Sequence, residues 1–304
     1  MIREAENKVR IEGLLSEINI GDKSYLNKVT GEMTPAIGGW IKVQVNQNIN
    51  GEEVTLEIPV HLFANKYTKK NTDNLAYKNI EEIKDKWTSI AAAGGTQNAD
   101  AVRITSGKIV MNEFSKTGEL SSYPRIIASF VSKIKQEDMN PEATFSTTFV
   151  VGKKNAEVDN EGIETGRYKI VGVLPQYGDK VDVVEFITTN PRVIAAIDQY
   201  WNENDTVRAI GRLNFSSKKE TVSKEVDFGE SQEYTRTYSV SELIITGGSA
   251  APLEGDYAYD INDIKEALNE RTIRIEEMKE KATNTSKTRN APITNSNGKI
   301  DLGF

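Results

Sequence analysis

Hydrophobic and polar residues alternate over several stretches of this chain, and the alternation predicts β-strands. Residues 40–46 place aliphatic side chains on one face and Trp40 with polar neighbours on the other. Residues 54–63 alternate in the same way after a short turn, which leaves Phe63 on the outward face. Strands that are apolar on one side only are typical of sheets with one buried face. The chain is therefore predicted to be mainly β.

A helical period interrupts these strands once in each half of the chain. Ile80, Ile83 and Trp87 fall on one face of a predicted helix in the first half. In the second half, Asn190 followed by Pro191 is typical of a capped helix start. Because strands flank both helices, each half is predicted to follow the order strand, strand, strand, helix, strand, strand.

The two halves also share a local pattern that indicates a duplicated unit. In each half a tryptophan-bearing helix leads to a valine–arginine pair, which ends at Arg103 in the first half and at Arg208 in the second. The same pattern at the same place in the same element order favours duplication over chance. We therefore predict two β domains, residues 1–138 and 139–249.

Beyond residue 249 the composition changes. Residues 250–282 predict a linker and a C-terminal helix with a partial apolar stripe, which favours docking onto the body over dimerisation. Residues 283–304 are rich in Asn, Thr and Ser and have little to bury, so they are predicted to be a disordered tail. This tail ends in a hydrophobic tip that contains Asp301, Leu302 and Phe304.

Composition excludes several classes of chemistry. The 304 residues include no cysteine and a single histidine, His61, which excludes thiolate sites and imidazole-rich metal sites. The sequence shows no phosphate-binding or dinucleotide-binding glycine motif, and no carboxylate set for a two-metal nuclease. We therefore expect no catalytic residues, no cofactor and no metal.

Charge and hydropathy limit the partners. The formal net charge is −7, with 38 Lys and Arg against 45 Asp and Glu, so nucleic acid could be bound only by a local basic face. No apolar run approaches the ~20 residues of a membrane helix, and the N-terminus has no signal core. The expected location is the cytoplasm, which would be the host cytoplasm for a phage protein, with no membrane contact.

The element order resembles the OB fold, a small barrel whose outer face binds oligonucleotides. Residues 7–15, 40–46 and 103–109 resemble the first, second and fourth strands of the bacterial single-stranded DNA-binding protein family. The tandem arrangement is similar to multi-OB replication proteins, some of them from phages. The resemblance implies two five-stranded OB-type barrels, each with a helix between its third and fourth strands. The tail tip matches that family's ending only in Asp301 and Phe304.

The resemblance also implies a function. It indicates a non-catalytic protein that coats single-stranded DNA during replication or recombination, with a bacteriophage as the expected source. The expected partners are single-stranded DNA and, through the C-terminal tail, replication or recombination proteins. Two alternatives stay open: a virion or assembly protein that uses OB barrels as protein scaffolds, and a nuclease.

Binding single strands without sequence preference requires aromatic rings for the bases and cations for the phosphates. We expect outward aromatic, polar and basic residues of both units to supply them, although Trp40 could instead pack beneath the loop at residues 31–39. The predicted binding residues are Trp40, Lys42, Gln44, Phe63, Lys66, Tyr67, Lys69, Arg103, Lys108, Phe114 and Arg125 in the first unit, and Lys169, Tyr177, Arg208, Arg212, Phe215, Arg236 and Tyr238 in the second.

Overall fold

The structure is a computed structural model that describes residues 1–26, 31–49, 51–224 and 232–289. For residues 217–224, 232–238 and 284–289 it describes the backbone alone.

Five long strands of the first half close into a barrel. The strands are β1 (Asn7–Leu26), β2 (Met33–Ile49), β3 (Glu52–Asn65), β4 (Ala101–Lys116) and β5 (Glu119–Ala128). β1 pairs with both β2 and β4, which closes the barrel, and β3 runs parallel to β5. A short strand, β6 (Ser132–Ile134), is added to the edge of β4.

The second half repeats this topology. Its strands are β7 (Glu142–Val158), β8 (Glu164–Gln176), β9 (Lys180–Thr188), β10 (Thr206–Lys224) and β11 (Gln232–Gly248). β7 pairs with both β8 and β10, and β9 runs parallel to β11. Each barrel therefore has the closed strand order 1-2-3-5-4-1 of the OB fold, and the prediction of two tandem OB-type barrels is confirmed.

A helix lies between the third and fourth strands of each barrel, as predicted. In the first barrel these are α1 (Leu75–Lys86) and the short α2 (Ile90–Ala93), and in the second α3 (Pro191–Tyr200). Asn74 and Asn190 cap α1 and α3 by accepting a hydrogen bond from the backbone N–H two residues on. Ile80, Ile83 and Ile197 are buried, so both helices pack against their barrels through the apolar face.

The two barrels share one continuous sheet. β1 pairs along Asn7–Glu12 with β7, so it contributes to the first barrel and to the joint between the barrels. The Glu12 carboxylate at this joint accepts hydrogen bonds from Arg103 and from the backbone N–H of Asn140. Buried hydrophobic residues of both barrels form one continuous core across the joint.

Two further elements connect the barrels. The β10–β11 hairpin extends from the second barrel and lies against β3 and β5 of the first. Helix α4 (Ile261–Arg289) packs on β4, β5 and β9, where Arg271 donates to the Glu113 carboxylate. Docking of this helix onto the body was expected. It continues to Arg289, past the predicted helix end at residue 282, and residues 290–304 lie outside the described part of the chain.

Candidate nucleic-acid interface

Strands β2, β3, β4 and β5, with the end of β1, form a groove on the first barrel. Its volume is about 590 Å³. The groove brings side chains with rings together with side chains that carry positive charge. It is lined by Lys23, Gly39, Trp40, His61, Leu62, Phe63, Ser106, Lys108, Arg125, Ile127, Ala128 and Ser129.

Three rings line one side of this groove. Trp40 and His61 occupy paired positions on β2 and β3, and Phe63 pairs with Gly38 in the same register. A β-carbon at Gly38 would lie 3.0 Å from the Phe63 ring, so glycine lets this ring lie close to the sheet. Phe63 is 55% exposed and Trp40 is half-buried at the groove wall. Trp40 lines the groove, and its role in binding stays a prediction.

Three cations line the groove beside the rings. Lys108 forms an ion pair with Glu4, with 2.6 Å between Nζ and the carboxylate. Among the described residues, Lys23 and Arg125 have no acid within ion-pair distance. The Nε of Arg125 is buried and has no hydrogen-bond acceptor in the same described part. A buried guanidinium nitrogen without an acceptor is costly, so this position favours an anionic ligand.

The groove also fixes the charge state of its histidine. Burial, together with the smaller effect of the positive charge of Arg125, lowers the pKa of His61 from 6.5 to about 4. His61 is therefore neutral at physiological pH and adds a ring without a charge.

Lys42 and Gln44 follow Trp40 on the same strand but do not line the groove. The Lys42 ammonium lies 5.3 Å from the Trp40 ring centroid and 2.8 Å from the Glu17 carboxylate. Gln44 donates to the side chain of Asn46. Lys42 therefore sits beside one ring of the groove with its charge already paired.

Other predicted residues of the first barrel lie away from the groove. Lys66 and exposed Tyr67 contact each other at the end of β3, with 5.8 Å from Nζ to the ring centroid, and exposed Lys69 follows them. Phe114 packs edge-on against Tyr123 at 6.2 Å between ring centroids. Arg103 is turned toward the joint, where Glu12 holds it at 2.6 Å.

The corresponding face of the second barrel is built differently. Lys169 pairs with Glu157 at 2.9 Å and with Glu185 at 3.5 Å, and Arg167 pairs with Glu157 and Glu242. These carboxylates neutralise both cations. The Nε of Arg212 is buried without an acceptor among the described residues.

The other predicted binding residues of the second barrel whose side chains the structure describes do not lie together on one surface. Phe215 is 2% exposed and packs in the core, so its prediction as a binding residue is wrong: it stands two residues after Leu213 and shares its inward face. Tyr177 is 82% exposed in the turn between β8 and β9. Arg208 pairs with Glu6 at 2.6 Å. The side chains of Arg236 and Tyr238, and the residues Asp301, Leu302 and Phe304, lie outside what the structure describes.

Comparison with known proteins shows the family of the chain. The YorF family model matches residues 5–281. This chain belongs to the YorF family. No curated protein matches the sequence of this family member.

Solved structures with a similar fold include the wild-type single-stranded DNA binding protein from Thermus aquaticus. It has a TM-score of 0.49 and 12% sequence identity, and the match covers 83% of this YorF chain and 96% of that chain. A deletion mutant of the same protein gives a TM-score of 0.48 at 12% identity, covering 83% and 97%. A replication protein A heterotrimer bound to single-stranded DNA gives 0.21 at 10% identity, covering 90% and 70%. These identities are too low to transfer residue roles.

Sequence reasoning missed several groove residues of this YorF chain, among them Lys23 and Ile127. Lys23 lies on the distal part of β1, which extends to Leu26. The alternation of Ile18 and Ile20 with polar residues was the available signal for this extension. A β-bulge between Leu15 and Glu17 shifts the register there and hides the continuity of the strand.

In the described part of this YorF protein, no group of histidine and acidic side chains could hold a metal ion. No helix in the same part is long and apolar enough to cross a membrane.

The lowered pKa of His61 predicts acid sensitivity. As pH falls from 6.5 toward 4, the unfolded chain binds a proton that the folded groove does not, so folding stability is lost in this window. Between these pH values we expect the wild type to lose roughly 1–2 kcal/mol more than His61→Gln, after allowance for solvent around the ring. Urea denaturation at several pH values measures this, and parallel curves for the two proteins would contradict it.

Proposed function

We propose that this chain binds single-stranded DNA, without catalysis, through the groove of its first barrel. The observation that carries this proposal is the pairing of open rings with an unsatisfied cation: Trp40 and Phe63 stand beside the Arg125 guanidinium in one groove. Rings take the faces of unstacked bases and the guanidinium takes a phosphate.

The arrangement favours single strands over duplex. Each base that stacks on an aromatic ring contributes about 1–3 kcal/mol, and a duplex keeps its base faces inside the helix. The chain as a whole carries a net charge of −7, so it lacks the general positive field that binds duplex without specificity. Binding through rings in a locally basic groove is compatible with that charge.

We assign the binding to the first barrel because its groove places open rings beside Arg125. At the corresponding face of the second barrel, Arg167 and Lys169 are held by carboxylates and Phe215 is buried rather than open to a base, although the Nε of Arg212 also lacks an acceptor among the described residues. An unpaired cation that neutralises a phosphate releases a counterion condensed on the nucleic acid, whereas an ion-paired cation mainly exchanges partners. Lys23 and Arg125 should therefore set the salt dependence, with a log–log slope of about −1.4 for two contacts.

The test is a titration of the full chain with oligo-dT, an RNA oligonucleotide and a duplex, followed by tryptophan fluorescence over a range of salt concentrations. We expect oligo-dT to quench the fluorescence and duplex not to. Arg125→Gln should weaken binding about tenfold and flatten the slope by about 0.7. Lys169→Gln is the matched control and should bind as the wild type does.

The outcomes separate the alternatives. Tighter binding of RNA than of DNA would change the substrate class, and absence of binding to any nucleic acid would favour a virion or assembly scaffold. Metal-dependent loss of the oligonucleotide would favour a nuclease. We further propose that the protein coats unwound DNA during phage replication or recombination, with partners recruited by its C-terminal tail, because the tandem-barrel pattern resembles replication proteins.

A further inference from the structure

The N-terminal segment, residues 1–6, runs between the two barrels before β1 begins. The backbone N–H of Ala5 donates to the carbonyl of Pro175 at 3.0 Å, and the N–H of Thr148 donates to the carbonyl of Glu6 at 2.8 Å. Burial alternates along it: Ala5 and Asn7 are buried while Glu4 and Glu6 face outward. The segment is therefore extended and presents two carboxylates on one side.

These two carboxylates contact cations of different barrels. Glu4 pairs with Lys108 of the groove at 2.6 Å, and Glu6 pairs with Arg208 of the second barrel at 2.6 Å and with exposed Lys8 at 3.3 Å. Two residues of extended chain span about 7 Å, a spacing similar to that of successive phosphates in a stretched single strand. The carboxylates thus occupy positions suited to two neighbouring phosphates.

A cleft follows directly after Arg208. Glu4, Glu6 and Arg208 line it together with Tyr257, and it continues into a space of about 450 Å³ beside Ile210. Tyr257 is 69% exposed and Ile210 is 49% exposed. An open tyrosine ring with an aliphatic neighbour and a guanidinium is the combination that accepts a base and its phosphate.

We propose that the bound strand leaves the groove at Lys108 and crosses the N-terminal segment to a second subsite at Arg208 and Tyr257. Two successive phosphates replace the carboxylates of Glu4 and Glu6, and a base stacks on Tyr257. This inference rests on the proposed function of the groove. The N-terminal segment then also limits affinity, because its carboxylates compete with the phosphates.

The competition has a signature in salt dependence. In the wild type, phosphate at Lys108 or Arg208 displaces a carboxylate, which attracts a cation in turn, so the net release of counterions is small. In Glu4→Gln/Glu6→Gln, Lys108 and Arg208 neutralise two phosphates without displacing a carboxylate. The counterions condensed on those phosphates are then released, and the log–log slope becomes more negative by about 1.4. We expect this variant to bind oligo-dT about threefold to tenfold more tightly at low salt, since exposed ion pairs of this kind are weak.

The control is Glu276→Gln/Glu280→Gln, which makes the same change in net charge on the exposed face of α4. It should keep the wild-type slope. A second variant, Arg208→Gln, should weaken binding of dT oligonucleotides long enough to reach both barrels and leave unchanged the shortest ones that fit the groove. Thermal denaturation by circular dichroism checks that every variant is folded.

The possible failures are distinct. If the wild type binds no oligonucleotide, the proposed function fails. Two outcomes would contradict only the path to the second barrel, while the proposed binding in the groove would be retained. In one, the wild type binds but Glu4→Gln/Glu6→Gln has the affinity and slope of the control. In the other, Arg208→Gln weakens the binding of long and short oligonucleotides equally.

Discussion

Replacing Trp40 with alanine is expected to weaken oligo-dT binding by about 5- to 150-fold, which corresponds to about 1–3 kcal/mol of base stacking. Trp40 lines the groove between the cations and His61, and the variant removes the ring without removing a charge. The variant should also lose most of the fluorescence quenching, since the other two tryptophans do not line the groove. Trp201 is buried and its Nε1 donates to the carbonyl of Ser249, and Trp87 packs half-buried against the core. Fluorescence titration and anisotropy measure both effects.

Tyr177→Ala is the matched control for this experiment. Tyr177 is an exposed ring in a turn of the second barrel, away from the groove. Its loss should leave the affinity and the quenching unchanged. Equal losses for the two variants would mean that binding is spread over the surface, and an unaffected Trp40→Ala would remove the central ring from the proposal.

Arg271→Met is expected to lower the free energy of unfolding by about 3–5 kcal/mol. Arg271 reaches from α4 to Glu113 on β4, and the two side chains are 14% and 8% exposed. Methionine keeps the length of the side chain but leaves Glu113 buried without its cation. Asp182 lies near the same pair, and burial together with the negative Glu113 raises the pKa of this carboxyl above its ordinary value.

Chemical denaturation at neutral pH tests this prediction. Lys265→Met, on the exposed face of the same helix, is the control and should change stability by less than about 0.5 kcal/mol. A loss of similar size at Lys265 would indicate that α4 tolerates methionine poorly in general, rather than that the ion pair matters.

Much of the fold could be predicted from the period of the hydrophobic pattern. The alternation at residues 40–46 and 54–63 identified β2 and β3, and the capping asparagine at Asn190 identified the start of α3. Such signals are local, so a single sequence contains them. The repeated order of elements was enough to predict two barrels of the same topology.

The candidate site could be predicted only in part, because pairing between distant residues decides which cations are free. Arg125 and Lys169 look alike in sequence, yet one has an unsatisfied nitrogen and the other has two carboxylates supplied by β7 and β9. Arg208 is engaged by Glu6, two hundred residues earlier along the chain. No spacing rule connects such partners.

The double role of β1 has a consequence for how a strand would be held. Because β1 is hydrogen-bonded to β4 in the first barrel and to β7 in the second, the two barrels are held rigidly rather than joined by a flexible linker. A ligand that spans both barrels would meet binding surfaces at a fixed separation. Binding would then not have to offset the entropy lost in ordering a flexible linker. Length discrimination among oligonucleotides would then reflect this fixed offset between the barrels.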